Sequence, residues 1–184
     1  MRAETKTNKT AYPLEKVYGL LEPGPVVLLS TQRKGEPNVM TLSWHVMLEF
    51  EPPLVGCVVS NRNFTFEILR ETQECVINVP TVELAKKVVA CGKVSGRAVN
   101  KIRKYGLTLQ PAAKVEAPMI VECYANLECR VADPRMVESY CFFVLQVAQA
   151  WIDPRIKWPR TMHHRGWGEF MVAGKRLKLP SKMK

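Results

Sequence analysis

Apolar residues in this chain gather into short unbroken runs rather than into stripes of helical period. Pro25-Val-Val-Leu-Leu-Ser-Thr31 is one such run, and a β-branched stretch of that length reads as a buried strand. Gln32-Arg-Lys-Gly-Glu-Pro37 reads as a hairpin turn with Gly35 at the bend. The next strand carries Asn38 to Trp44 and is expected to run on to Phe50, where Glu51-Pro52-Pro53 stops it. Leu54–Val59 and Cys75–Val79 are further buried strands. Two longer runs follow, Ile120–Ala132 and Tyr140–Ile152, and the second places Phe142, Val144 and Val147 in the core. A last hairpin is expected to pair Phe170–Val172 with Arg176–Leu179 across Ala173-Gly174.

Helical signals are few and short. Tyr12–Leu21 is expected to form one helix, ended by Pro23, Gly24 and Pro25. Phe64–Glu71 is a second, with Phe64 and Ile68 on one face, Asn63 as N-cap and Glu67 suited to the positive end. Thr81 is expected to cap Val82–Cys91, which exits at Gly92, and Ser95 to cap Gly96–Tyr105, which stops at Gly106. The strands mostly follow one another without helices between them. The expected fold is therefore mainly β: an antiparallel barrel, closed or nearly closed, with a few short covering helices. A doubly wound parallel sheet is excluded, because few strand pairs have a helix between them and no G-x-G-x-x-G follows the first strand. One domain over residues 1–184 is expected, with 1–12 and 181–184 loosely ordered.

Composition adjusts this picture only slightly. Hydrophobic residues at 47% and charged residues at 24% are ordinary for a globular protein. The start is polar and no run of about 18 apolar residues occurs, so a cytoplasmic location without membrane contact is expected. Cysteines at 57, 75, 91, 123, 129 and 141 form no C-x-x-C pair and mostly sit in apolar runs. They read as reduced structural thiols, and no metal site is expected. The formal net charge of +10 favours an anionic partner: a phosphate-bearing cofactor, an acidic protein or nucleic acid. A nucleic-acid-binding barrel using Trp151, Trp158 and Trp167 is disfavoured, because the basic residues cluster in a helical region and the tail instead of along one face.

The most informative stretch is Asn38–Pro80, where apolar runs enclose two polar clusters. The first is Asn38-Val-Met40-Thr41-Leu42-Ser43-Trp44 and the second Ser60-Asn61-Arg62-Asn63-Phe-Thr65. A flat, largely apolar ring with a polar edge is held by backbone amides and a few apolar side chains, which the first cluster supplies. A dianionic phosphate is held by hydroxyls, amides, a cation and a helix N-terminus, which the second supplies together. His45 follows Trp44 directly and is a weaker candidate for facing such a ring.

The ordered set Asn38-x-Met40-Thr41-x-Ser43, Glu51-Pro52-Pro53-Leu54-Val55, Ser60-x-Arg62-x-x-Thr65-x-x-Ile68 and Cys75-Val76-Ile77-Asn78-Val79 resembles the flavin reductase-like proteins with an FMN-binding split barrel. Cys91-Gly92, Ser95-Gly96-Arg97, Lys101 and Gly106-Leu107 continue the resemblance, as do His163-His164, Gly166 and Gly168. It covers about Leu20 to Leu179. It implies FMN as cofactor, with Ser60, Arg62 and Thr65 at the phosphate and Lys101 as a second cation. It implies NADH or NADPH as electron donor, and free flavin, a ferric complex or a protein as acceptor. A homodimer with FMN near the subunit interface is also implied. His163 and His164 would stand on the nicotinamide or acceptor side. Arg165 and Trp167 replace the small residues usual in the family, and are expected to narrow or cover the flavin's open face. A flavoredoxin-like electron carrier, which needs no NAD(P)H site of its own, is the alternative implied by the same family.

Overall fold

The computed structural model of this protein describes residues 9–17 and 24–180. Its core is an antiparallel sheet of eight strands. In chain order these are β1 (Thr10–Ala11), β2 (Val27–Arg33), β3 (Glu36–Leu42), β4 (His45–Phe50), β5 (Pro53–Val58), β6 (Glu74–Val79), β9 (Ala125–Asp133) and β10 (Phe142–Ile152). The minor pairs are β7 (Leu109–Gln110) with β8 (Met119–Ile120), and β11 (Met162–Gly166) with β12 (Glu169–Val172). Four short α-helices complete the set: α1 (Phe64–Thr72), α2 (Ala85–Gly92), α3 (Lys101–Tyr105) and α4 (Val137–Tyr140).

The strand path runs β3-β2-β6-β9-β10-β5-β4, with β1 added alongside β10. Its two edge strands, β3 and β4, are joined by only Ser43 and Trp44. Two residues cannot bridge an open seven-strand sheet, so the sheet curls until its edges meet, as the mainly β barrel expectation requires. His45 reinforces this seam: its Nε2 lies 2.6 Å from the carbonyl of Pro25, just ahead of β2. The barrel interior is packed by Val27, Leu29, Val55, Cys57, Ile77, Leu127, Phe143 and Leu145, all fully buried. Phe66 of α1 meets Phe143 edge-on, with ring centroids 5.5 Å apart. A second apolar cluster lies outside the sheet, where Leu28 and Val39 pack on Val88 and Cys91 of α2.

A chain of buried amides and hydroxyls threads the sheet. Asn78 donates Nδ2 to Leu28 O (3.0 Å), Ser30 Oγ (2.9 Å) and Val76 O (3.0 Å). Its Oδ1 accepts from Ile120 N (2.8 Å) and Asn126 Nδ2 (2.6 Å). Lys9 Nζ closes the chain on Asn126 Oδ1 (2.5 Å), Ile120 O (3.2 Å) and Val121 O (3.1 Å). Burial drives the Lys9 ammonium down to about 8. Glu128, also fully buried, accepts from Ala113 N (3.0 Å), Lys114 N (2.5 Å) and Trp151 Nε1 (2.6 Å), anchoring the loop before β8.

Several local expectations are corrected. The strand expected from Asn38 to Phe50 is two strands at opposite edges of the sheet. Residues 9–12 are not loose: Lys9 is bonded as above, Thr10–Ala11 pair with β10, and Tyr12 N donates to Ala150 O (2.9 Å). The helix expected over Tyr12–Leu21 is a single 3-10 turn, Leu14–Lys16, among the described residues, and residues 18–23 lie outside them. The helix expected from Gly96 starts at Lys101, because Asn100 Oδ1 takes the Arg103 N–H (2.9 Å), while Ser95 Oγ is occupied by Arg97 N (3.2 Å) in a tight turn. The Ile120–Ala132 run breaks after Ile120, whose N–H goes to Asn78. Phe170–Val172 pairs with Met162–His164 rather than with Arg176–Leu179, and the turn is Trp167-Gly168, with φ of 51° and 83°. The six cysteines are free and all but Cys141 are buried, in line with structural thiols.

Candidate functional site

The end of β3, the loop into α1 and the loop leaving α2 converge on one cleft of about 350 Å³. Met40 and Thr41 form one wall, Arg62–Thr65 a second and Cys91–Gly96 a third, and Lys101 of α3 completes it. The barrel thus brings together members of both polar clusters singled out in the sequence.

Each wall is fixed by specific bonds. Thr41 Oγ1 donates to Val88 O (2.6 Å), which ties α2 to β3. Buried Asn38 donates Nδ2 to Thr65 Oγ1 (2.8 Å). The Thr65 hydroxyl is an acceptor there, so its own proton is left to donate. Gly96 packs against Asn38 so closely that a Cβ there would stand 2.1 Å from Asn38 Oδ1. Arg62 N donates to Ser60 Oγ (3.3 Å), which shapes the loop. Asn63 holds the N-cap position of α1, but its side chain makes no capping hydrogen bond. Glu67, expected to serve the helix dipole, is ion-paired to Arg97.

The electrostatics are one-sided. Among the described residues no acidic side chain lines the cleft, while Arg62, Lys93 and Lys101 do. Lys101 is 6% exposed, and among the described residues its ammonium has one acceptor, Cys91 O at 2.9 Å. An ammonium carries three protons. Burial pushes its pKa below the ordinary lysine value, because a desolvated charge with one carbonyl is poorly compensated. Among the described residues the exposed Arg62 guanidinium is in no ion pair. Two cations, a hydroxyl proton and an uncapped nine-residue helix match the needs of a phosphate dianion, so the residues present fit the phosphate end of FMN.

Not every candidate reaches the cleft. Asn38 lines an adjoining hollow of about 360 Å³ that shares Phe64, Gly96 and Lys101 with it. Ser60 and Asn61 are exposed and do not line it. Leu42 is a core residue, Ser43 is half-buried, and Trp44 stands 71% exposed at the barrel seam. His45 Nδ1 is buried without a partner, and burial lowers its pKa below the ordinary histidine value. His163 Nε2 lies 3.2 Å from Thr161 Oγ1, and His164 rests on the Phe170 ring with centroids 5.2 Å apart. Trp167, expected to cover the open face, is fully exposed at the tip of the β11–β12 hairpin and lines no wall. Among the described residues no cluster of His, Cys, Asp and Glu could hold a metal ion. The third wall, Cys91–Gly96, carries part of the family resemblance but is not among the predicted cofactor contacts. Its signal is two glycines and a serine between two short helices, the composition of a loop that lets backbone approach a ligand.

The matched family model is the flavin reductase like domain, over residues 20–168, and the chain belongs to that family. The fold resembles the FMN-binding domain of a flavin reductases-like enzyme from Shewanella baltica OS155, with a TM-score of 0.89, 29% identity and coverage of 96% of this chain and 100% of that one. Flavoredoxin from Methanosarcina acetivorans superposes with a TM-score of 0.75 at 27% identity, covering 86% and 89%. An uncharacterized protein of Archaeoglobus fulgidus is 42% identical over 112 residues, 61% of this chain and 63% of that protein. No helix among the described residues is long and apolar enough to cross a membrane.

Proposed function

We propose that this chain is an FMN-dependent oxidoreductase that takes electrons from NADH or NADPH and passes them to free flavin, a ferric complex or a protein acceptor. The observation that carries this reading is the cationic cleft in which Arg62, Thr65 and Lys101 meet the Met40-Thr41 end of β3. Bound there, FMN would supply hydride acceptance and stepwise electron release. Arg62, Lys101, the Thr65 hydroxyl and the first turn of α1 would hold the phosphate. Asn38 would act behind them by positioning Thr65. The strand end from Met40 to Trp44 would offer backbone to the ring edge. The FMN-binding Shewanella baltica relative and the family membership support the assignment.

A homodimer is part of the same reading. Trp44, just ahead of β4, and Val46, Leu48 and Phe50 along it are all exposed at the sheet edge, an apolar stripe suited to a second copy and adjoining the seam. The second functional reading, an electron carrier, draws on His163 and His164 lying outside the cleft walls and on the flavoredoxin likeness. The test is direct. Purified protein should be yellow and release FMN on denaturation, and a colourless protein without flavin affinity refutes the proposal. Anaerobic mixing with NADH and NADPH should bleach the flavin; bleaching by neither selects the carrier.

A further inference from the structure

We infer that the C-terminal part of this chain is a peripheral docking surface for an anionic lipid bilayer. The inference is independent of the cofactor reading. From Lys157 to Leu179 the chain carries six Lys and Arg against a single acidic residue, Glu169. Six minus one is +5, half of the formal net charge of +10 on 23 residues. None of the six forms a salt bridge among the described residues.

Large apolar side chains stand in water among these charges. Trp158, Trp167, Met171, Leu177 and Leu179 are all exposed, and Trp167 is 104% exposed. The segment is one physical unit. The Arg176 guanidinium lies 4.2 Å from the Trp158 ring centroid, and Ala173 N donates to Thr161 O (2.8 Å). The β11–β12 hairpin turns Met162, Phe170 and Val172 toward α2, which leaves Met171 on its outer side. Trp167 crowns that hairpin in a left-handed turn between Gly166 and Gly168. The indole is held out in a backbone conformation that non-glycine residues rarely adopt.

Exposed basic residues interleaved with Trp, Leu and Met are the chemistry of the bilayer interface, where cations meet lipid headgroups and the apolar groups enter beneath them. A second copy seated with this patch on the two-fold axis would set +5 against +5. A structured acidic partner would need a rigid, shaped face, whereas residues 173–180 have no helix or strand. Single-stranded nucleic acid would stack on aromatic rings but gives no use to Met171, Leu177 and Leu179.

The test is sedimentation of the full chain, as purified, with vesicles of 30% phosphatidylserine in phosphatidylcholine. The protein should co-sediment at 0.1 M salt, release at 0.5 M, and ignore pure phosphatidylcholine. Each basic residue near an anionic surface contributes roughly fivefold in partitioning, so the triple variant Arg165→Gln, Lys175→Gln, Arg176→Gln should bind about a hundredfold more weakly. Brominated lipid should quench tryptophan fluorescence in the wild type and less in Trp167→Ala. No preference for anionic vesicles overturns the inference, as does binding that survives the triple variant. A salt-sensitive shift of single-stranded RNA without vesicle binding assigns the surface to nucleic acid instead. Trp167 shielded from acrylamide by dimerisation, with no lipid present, assigns it to a second copy.

Discussion

Replacing Lys101 with methionine separates the two roles a buried cation can have. Met is close to the stem of Lys in length and needs no hydrogen bond, so Lys101→Met keeps the packing of α3 and removes the charge. Without ligand that charge is desolvated and has one carbonyl partner, Cys91 O at 2.9 Å. Exchanging a poorly paired buried charge for an apolar group of similar shape is often neutral. Thermal unfolding of the apoprotein should therefore change by no more than about 1 kcal/mol. A charge-assisted hydrogen bond to phosphate contributes roughly 1.5–3 kcal/mol. Its loss should raise the Kd for FMN between about tenfold and a hundredfold. Titration of apoprotein into FMN, followed by flavin fluorescence, measures this. Burial already lowers the Lys101 pKa, so wild-type affinity should begin to fall at a pH below the ordinary lysine range, a decline absent in Lys101→Met. A Kd within twofold of wild type in a folded variant refutes the phosphate role. A large loss of apoprotein stability shows that Lys101 is structural.

Other outcomes follow from the same geometry. Arg62→Ala should weaken FMN binding about tenfold without lowering the unfolding temperature, since the exposed guanidinium is in no ion pair among the described residues; both are read in the same titration and melt. Burial lowers the His45 pKa, so the unfolded chain takes up a proton first as pH falls below about 6.5. Stability should therefore drop on the acid side of that value, and His45→Gln should flatten this limb in urea unfolding curves. Leu48→Glu on the exposed β4 stripe should shift the protein toward monomer in sedimentation velocity, and an unchanged mass argues against that stripe as the dimer face. Glu128→Ala strips the acceptor from the Ala113 and Lys114 N–H groups and from Trp151 Nε1, and should cost about 3 kcal/mol in denaturant unfolding.

The sequence carried the strands that are buried on both sides. Pro25–Thr31 and Cys75–Val79 are so uniformly apolar that length and β-branching alone mark them. It also carried the Arg62–Thr65 wall of the cleft, because Ser60–Thr65 gathers hydroxyls, amides and a cation at a strand-to-helix junction, where folding alone has little use for an Arg. What it concealed depended on distant partners. Nothing local says that the chain leaves one edge of the sheet at Ser43 and joins the other at His45, since that break is set by β5 and β10. Ser95 and Asn100 are both good caps, and only the tight turn at Ser95 decides between them. Met162–Gly166 has no alternating pattern, so its pairing with β12 could be read only from Gly166-Trp-Gly168.

The amide chain through Asn78 has a consequence for how this barrel chooses one alignment among several. Strands β2 and β6 meet over short apolar pieces, Val27–Leu29 and Cys75–Ile77, and sliding one past the other by two residues would still set Leu28 against Val76 and Val27 against Ile77. Hydrophobic burial alone barely distinguishes such alignments. Asn78 can satisfy both ends of its amide only when Leu28, Ser30, Ile120 and Asn126 stand where they do. In a slipped sheet those groups would lie buried and unpaired. The polar thread therefore works as a set of alignment pins, giving the strands a single register that their apolar side chains alone do not encode.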